Sequence, residues 1–201
     1  MQTPASYDKI FTADNTQEEK LMWQELMELD SNILLYVQEH IRNEALNNIV
    51  VWFTSLGNAG LIWILLIIAL IIYKGTRKEG LYCTISLILC FITVNLFLKN
   101  AVARIRPYDA MEQIRCLVEP QVDYSFPSGH TAIAFAASVP VFILSDKRLG
   151  TAMVIFSILM ALSRIYVCVH YPTDVIGGAV IGILCGIITG KIIYPRLNRT
   201  E

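Results

Sequence analysis

Three short clusters in this 201-residue chain hold cations, histidines and a carboxylate at spacings that suit phosphoryl chemistry. The first contains Lys99, Arg104, Arg106 and Pro107. On a continuous helix Lys99 and Arg106 would share a face, about two turns apart. Pro107 restricts Arg106 and is expected to end that helix. The second is Phe126-Pro127-Ser128-Gly129-His130-Thr131. Ser128 suits a helix N-cap, and the free amides of a helix start bind phosphate. Gly129 lets backbone approach a ligand closely, and His130 falls in the first turn beside it. The third runs from Ser163 and Arg164 through Tyr166 to His170, Pro172 and Asp174. Ser163 and His170 are expected on one helix face. Pro172 suits a first helical turn. Asp174 in that turn could bond one nitrogen of His170, fixing its tautomer and leaving the other nitrogen free to attack.

Together these parts permit one chemistry. Cations and backbone amides stabilise the charge on a phosphoryl group in transfer. One histidine can attack phosphorus while the other protonates the leaving oxygen. No carboxylate cluster suggests a pair of metal ions, so phosphoryl transfer to histidine without metal or other cofactor is expected. Taken singly, each cluster also has a plainer reading. Basic residues anchor membrane interfaces, and a capped helix can carry an interfacial histidine.

The elements that position these clusters are apolar. Fifty-five per cent of the residues are hydrophobic and 16% charged, against about 25% charged in soluble domains. Five stretches approach the ~20 residues that cross a bilayer: about 49–73, 80–98, 131–144, 149–169 and 175–194. Gly57 and Gly60 are weak points in the first. The third is short unless Gly129 and His130 belong to the same helix. Arg164 lies inside the fourth, where a charge is expensive and marks a functional site by default.

Charge sets the expected orientation. Lys74, Arg77 and Lys78, then Lys147 and Arg148, then Lys191, Arg196 and Arg199 fall on one side of a five-span bundle. Positive connections favour the cytoplasm, which puts the three clusters, the loop 99–128 and the acidic N-terminal segment outside. Residues 17–45 carry apolar positions at three- and four-residue steps among acids, as in an interfacial or partner-packed amphipathic helix. His40 within it reads as a surface histidine. No cleavable signal peptide is visible.

Gly178, Gly182, Gly186 and Gly190 form a smooth stripe on the fifth span, best suited to internal helix packing. The five cysteines are odd in number, sit mostly in apolar runs and read as buried small hydrophobes. A net charge of −1 gives no support to nucleic-acid binding. The expected architecture is an all-α polytopic transmembrane bundle, with an N-terminal segment over 1–48 and a membrane catalytic domain over 49–201.

At these clusters the chain resembles the type 2 phosphatidic acid phosphatase family of membrane lipid phosphatases. That family's motifs read K-x6-RP, PSGH and SR-x5-H-x3-D, and all three are complete over residues 99–174. The resemblance implies that Lys99, Arg106 and Arg164 bind phosphate with Ser128 and the Gly129 amide. It implies that His170 is the nucleophile and forms a phosphohistidine, that Asp174 orients it, and that His130 is the acid toward the leaving group. It further implies a lipid phosphate substrate, undecaprenyl diphosphate first, with phosphatidylglycerol phosphate and phosphatidic acid as alternatives, and a site at the outer face of the cell membrane. A non-catalytic lipid-phosphate-binding protein is the reading from another class. Family members commonly have six spans, and this chain shows five.

Overall fold

The computed structural model describes residues 17–194. Every regular element among them is helical. Helix α1 (Gln17–Tyr36) continues as a π-helical turn to Ile41. Most of its surface is exposed, but Leu34 and Val37 are buried, against Cys168 and Tyr171 and against Tyr166 and Val169. The expected amphipathic segment therefore lies on the bundle's end, with His40 exposed and stacked on Tyr36. Asn43 caps the next helix by accepting from the Leu46 amide, and α2 runs over Glu44–Ser55.

The first expected span is two helices. After α2 the chain turns through Asn58–Gly60, and α3 follows over Leu61–Ile72. Gly60 takes a φ of 68°, a left-handed conformation that glycine adopts without strain. Helix α4 (Arg77–Phe91) passes through a π-helical stretch into α5, Lys99–Val102. A single turn, α6, covers Pro107–Ala110. Helix α7 spans Gly129–Leu144, so Gly129 and His130 do open the third span. Helices α8 (Lys147–Tyr166) and α9 (Pro172–Ile187, prolonged to Ile193 with π-helical geometry) complete the bundle.

Among the described residues, three helical stretches are long and apolar enough to cross a membrane: Lys74–Ala110, Lys147–Tyr166 and Pro172–Ile193. Leu61–Ile72 and Gly129–Leu144 are apolar but shorter. The outward faces carry exposed Leu65, Ile68, Ile88, Ile155, Leu159 and Val180, an apolar belt that water would not tolerate but lipid does. Arg196 and Arg199 lie outside the described residues.

Helix α7 is the axis. Its alanine-rich face lets neighbours close in, and Ala132, Ala134, Ala136 and Ala137 are all fully buried. The glycine stripe of α9 packs directly on it. A Cβ at Gly178 would strike the Ser128 carbonyl and Thr131, one at Gly182 the Ala132 carbonyl and Phe135, and one at Gly186 the side chain of Val139. The stripe serves packing within the chain, as expected. Four of the five cysteines are buried, and all five are free thiols.

Chain direction then sorts the ends. The C-terminal ends of α5 and α8 and the N-terminal ends of α7 and α9 meet at one end, together with α1 and the loop 111–128. The basic connections at Lys74–Lys78 and Lys147–Arg148 lie at the other. Replacing Gly182 with valine should destabilise the fold by about 1–3 kcal/mol through overpacking against α7. Ile176→Val, on an outward face, should leave the thermal midpoint in detergent unchanged; equal midpoints for both would contradict this packing.

Candidate active site

The cations come from two helix ends. Helix α5 stops at Val102, because Ala103 turns left-handed at φ 50° and its amide closes on the Lys99 carbonyl at 2.9 Å. The continuous helix expected between Lys99 and Arg106 is therefore absent. Arg106 is extended, as a residue before proline prefers to be. What brings the two cations together is a shared carboxylate. Asp123 pairs with Lys99 and, at 2.6 Å, with Nη2 of Arg106. Arg106 also donates to the carbonyls of Asp123 and Val169, each at 2.8 Å. The Lys99 ammonium lies 3.8 Å from where a Cβ would stand at Gly129, so it faces the start of α7.

Arg164, on the last turn of α8, is 2% exposed. Its Nη1 donates to the Thr54 hydroxyl at 2.7 Å, and its Nε has no hydrogen-bond partner. None of the ion pairs found among the described residues involves it. A buried guanidinium without a carboxylate is costly unless an anion joins it.

The second cluster sits opposite. Ser128 occupies the N-cap position, but its hydroxyl does not cap the helix. It accepts instead from Thr131 Oγ1 at 3.0 Å, while the Ser128 amide donates to the Asp174 carbonyl at 3.0 Å. The start of α7 is thus tied to the first turn of α9. His130 is half-buried, with Nε2 3.4 Å from Asn58 Oδ1. A Cβ on Gly57 would meet its ring at 2.8 Å, so glycine in the α2–α3 turn makes room for the imidazole. His130 lies within electrostatic reach of Arg164, His170, Lys99 and Arg106.

His170 is carried by a turn, since α8 ends at Tyr166 and Cys168 takes a φ of 54°. Ser163 therefore does not share its face. The Ser163 hydroxyl donates to the Met160 carbonyl at 2.6 Å and lies 3.0 Å from the Thr54 hydroxyl. His170 is 1% exposed. Its Nε2 lies 3.4 Å from Arg106 Nη1, and its Nδ1 faces Asp174 Oδ2 at 3.7 Å. That distance is too long for the expected hydrogen bond, and Nδ1 has no hydrogen-bond partner. The Asp174 carboxylate is held by other donors: Ser125 Oγ at 2.5 Å and the Tyr171 amide at 2.9 Å on Oδ2, and Arg104 at 2.6 Å on Oδ1. Burial pushes the His170 imidazole down to about 4; Asp174 opposes this, and the Arg106 and Arg164 guanidiniums add to it.

Three contributors escaped sequence reasoning. Asp123 was part of a loop without a recognisable signal. Arg104 lay inside a motif but had no assigned partner. Asp30 looked like one more acid on a polar helix. Asp123 lies outside the membrane-spanning helices and is about half exposed. Burial opposes its charge, but Lys99 and Arg106 outweigh this and hold its carboxyl down to about 2. Lys99 and Arg106 thus meet at a position that the Asp123 carboxylate reaches, with His170 Nε2 3.4 Å from Arg106 and the charge of Arg164 acting on both Arg106 and the imidazole. Such a position suits a tetrahedral oxyanion, and the imidazole beside it is unprotonated at neutral pH. Among the described residues no group of three His, Cys, Asp or Glu side chains is arranged to hold a metal ion.

Comparison with known proteins points the same way. The family model of the PAP2 superfamily matches residues 79–197. "Undecaprenyl-diphosphatase" of Sulfolobus acidocaldarius is 34% identical over 68% of this chain and 66% of its own length, just under two thirds. "Undecaprenyl-diphosphatase BcrC" of Bacillus subtilis is 34% identical over 73% of this chain and 74% of its own. In structure the chain is similar to a "transmembrane PAP2 type phosphatidylglycerolphosphate phosphatase from Bacillus subtilis", with a TM-score of 0.72 and 25% identity over 88% of this chain and 90% of that one.

Asp123 already pairs with two of the cations, so a phosphate using Lys99 and Arg106 would compete with it. Asp123→Asn should tighten inhibition by inorganic phosphate about two- to fivefold, the range for a partly exposed ion pair. Unchanged or weaker inhibition would show that the carboxylate does not compete with the anion.

Proposed function

This chain belongs to the PAP2 superfamily, and from that premise we propose that it is a membrane lipid phosphatase that cleaves undecaprenyl diphosphate through a phosphohistidine at His170. The observation that carries this reading is the geometry around His170 Nε2. His170 Nε2 stands 3.4 Å from Arg106 Nη1, in the same cluster as Lys99 and the otherwise unpaired Arg164.

The steps follow from the groups present. Lys99, Arg106 and Arg164 take the non-bridging oxygens of the terminal phosphoryl group, with Ser128 and the Gly129 amide at the start of α7. Nε2 of His170 forms a bond to phosphorus as the bond to the bridging oxygen breaks. His130 gives its proton to that oxygen, and undecaprenyl phosphate leaves. Water, relieved of a proton by His130, then attacks the phosphohistidine and frees inorganic phosphate. Asp174 steadies the positive charge that the His170 ring acquires. The cations do in this site what a metal ion does in others, namely stabilise the equatorial oxygens.

The choice of substrate rests on the two relatives named for undecaprenyl diphosphate. The structural likeness to a phosphatidylglycerolphosphate phosphatase supports a second reading on that lipid. Release of phosphate from a panel of lipid phosphates in detergent separates them. The basic connections at the far end of the bundle support a site on the extracytoplasmic side of the cell membrane.

His170→Asn should lower turnover about a thousandfold or more, and wild-type turnover in that variant would remove His170 as the nucleophile. Attack requires neutral imidazole. With the His170 pKa lowered to about 4, kcat/KM should climb as pH rises through about 4 and show no further His170-dependent rise above it. An acid limb near the ordinary histidine value, about 6.5, would contradict this assignment. EDTA should leave turnover intact, and millimolar vanadate should inhibit; the reverse pattern would overturn the metal-free mechanism.

A further inference from the structure

Helix α1 lies outside the residues that the family model matches, yet it reaches the catalytic carboxylate. Asp30, in the middle of this acidic helix, is 2% exposed. Its Oδ2 accepts from Arg104 Nη2 at 2.7 Å, its Oδ1 accepts from the Thr173 amide at 3.0 Å, and the Thr173 hydroxyl donates to Oδ2. The other arm of Arg104 donates to Asp174 Oδ1 at 2.6 Å and to Thr173 Oγ1 at 2.7 Å. The guanidinium lies over the Tyr171 ring, 3.9 Å from its centroid. One planar fork therefore bridges two buried carboxylates, which the fixed geometry of arginine allows and a lysine ammonium cannot reproduce.

Charge explains why two carboxylates are needed. If Arg104 had Asp174 as its sole acidic partner, the two would neutralise each other. Little field would then be left for His170, whose Nδ1 is 3.7 Å away. With Asp30 included, the group of Asp30, Arg104 and Asp174 carries one net negative charge. The ring of a phosphorylated His170 carries one positive charge, so the balance closes when the intermediate forms. We propose that Asp30 is a positioning residue for this reaction. It holds and part-neutralises Arg104, so that Asp174 keeps both its orientation and its charge for His170. The N-terminal helix is then a component of the active site rather than a surface appendage. This inference rests on the reading of His170 as nucleophile and Asp174 as its partner.

The test uses the full chain in detergent, with undecaprenyl diphosphate as substrate and phosphate release as readout. Wild-type turnover checks the underlying reading first; a wild type inactive on this substrate and on the rest of the lipid-phosphate panel overturns that reading and this inference with it. In active protein, Asp30→Asn and Arg104→Lys should each lower kcat about ten- to a hundredfold, the scale of a misplaced catalytic group. KM and inhibition by vanadate should stay within about twofold, since the phosphate-binding cations are untouched. Asp30→Glu should recover part of the lost kcat. Wild-type kcat in either folded variant would overturn the proposal. So would a loss that appears in KM, or a failure of both variants to fold, because each marks a purely structural tie.

Discussion

A cluster of positive charge held out of water governs this molecule. Arg106 and Arg164 are almost fully buried and Lys99 nearly so. The two guanidiniums repel one another in a medium that screens poorly. Such a group persists where the surroundings supply negative charge or dipoles. The protein does so with the Asp123 carboxylate, the Asp123 and Val169 carbonyls and the Thr54 hydroxyl. None of these neutralises Arg164. The remaining need for an anion is what a phosphate can meet, and most of the architecture serves to keep that need in place.

The bundle keeps it in place through α7. Glycines on α9 and alanines on α7 bring the backbones close, and the amide of Ser128 is fixed on the Asp174 carbonyl. The start of α7 is thereby tied to the first turn of α9, next to the turn bearing His170. Gly57 does the same on the other side by admitting His130 beneath the α2–α3 turn. The small residues that look featureless in the sequence set the distances between the large ones.

How much of this was legible beforehand follows from the range of each signal. Spans, the glycine stripe and the three clusters depend on local pattern and spacing, and the structure brings the named cations and histidines to one end. The structure departs from the sequence pattern where a helix breaks. Ala103 and Cys168 leave helical geometry with positive φ, although neither is glycine, and no local cue announced either break. Lys99 and Arg106 meet through Asp123 rather than along a helix face, and His170 is set by a turn rather than by Ser163. Partner choice was not readable either. Asp30 and Asp123 are acids in polar segments, and only the folded chain shows that one meets Arg104 and the other Lys99 and Arg106.

The carboxylate of Asp123 has one more consequence. Since it already pairs with Lys99 and Arg106, a phosphate bound there as proposed would exchange one counter-ion for another. A singly charged visitor such as chloride or acetate gains little in that exchange, because it replaces a like charge already well placed. A terminal phosphate, carrying more charge over three oxygens, can also engage Arg164, which the resident carboxylate leaves unpaired. Under the proposed reading, discrimination between small anions and phosphate esters falls at the moment of entry, before any bond changes.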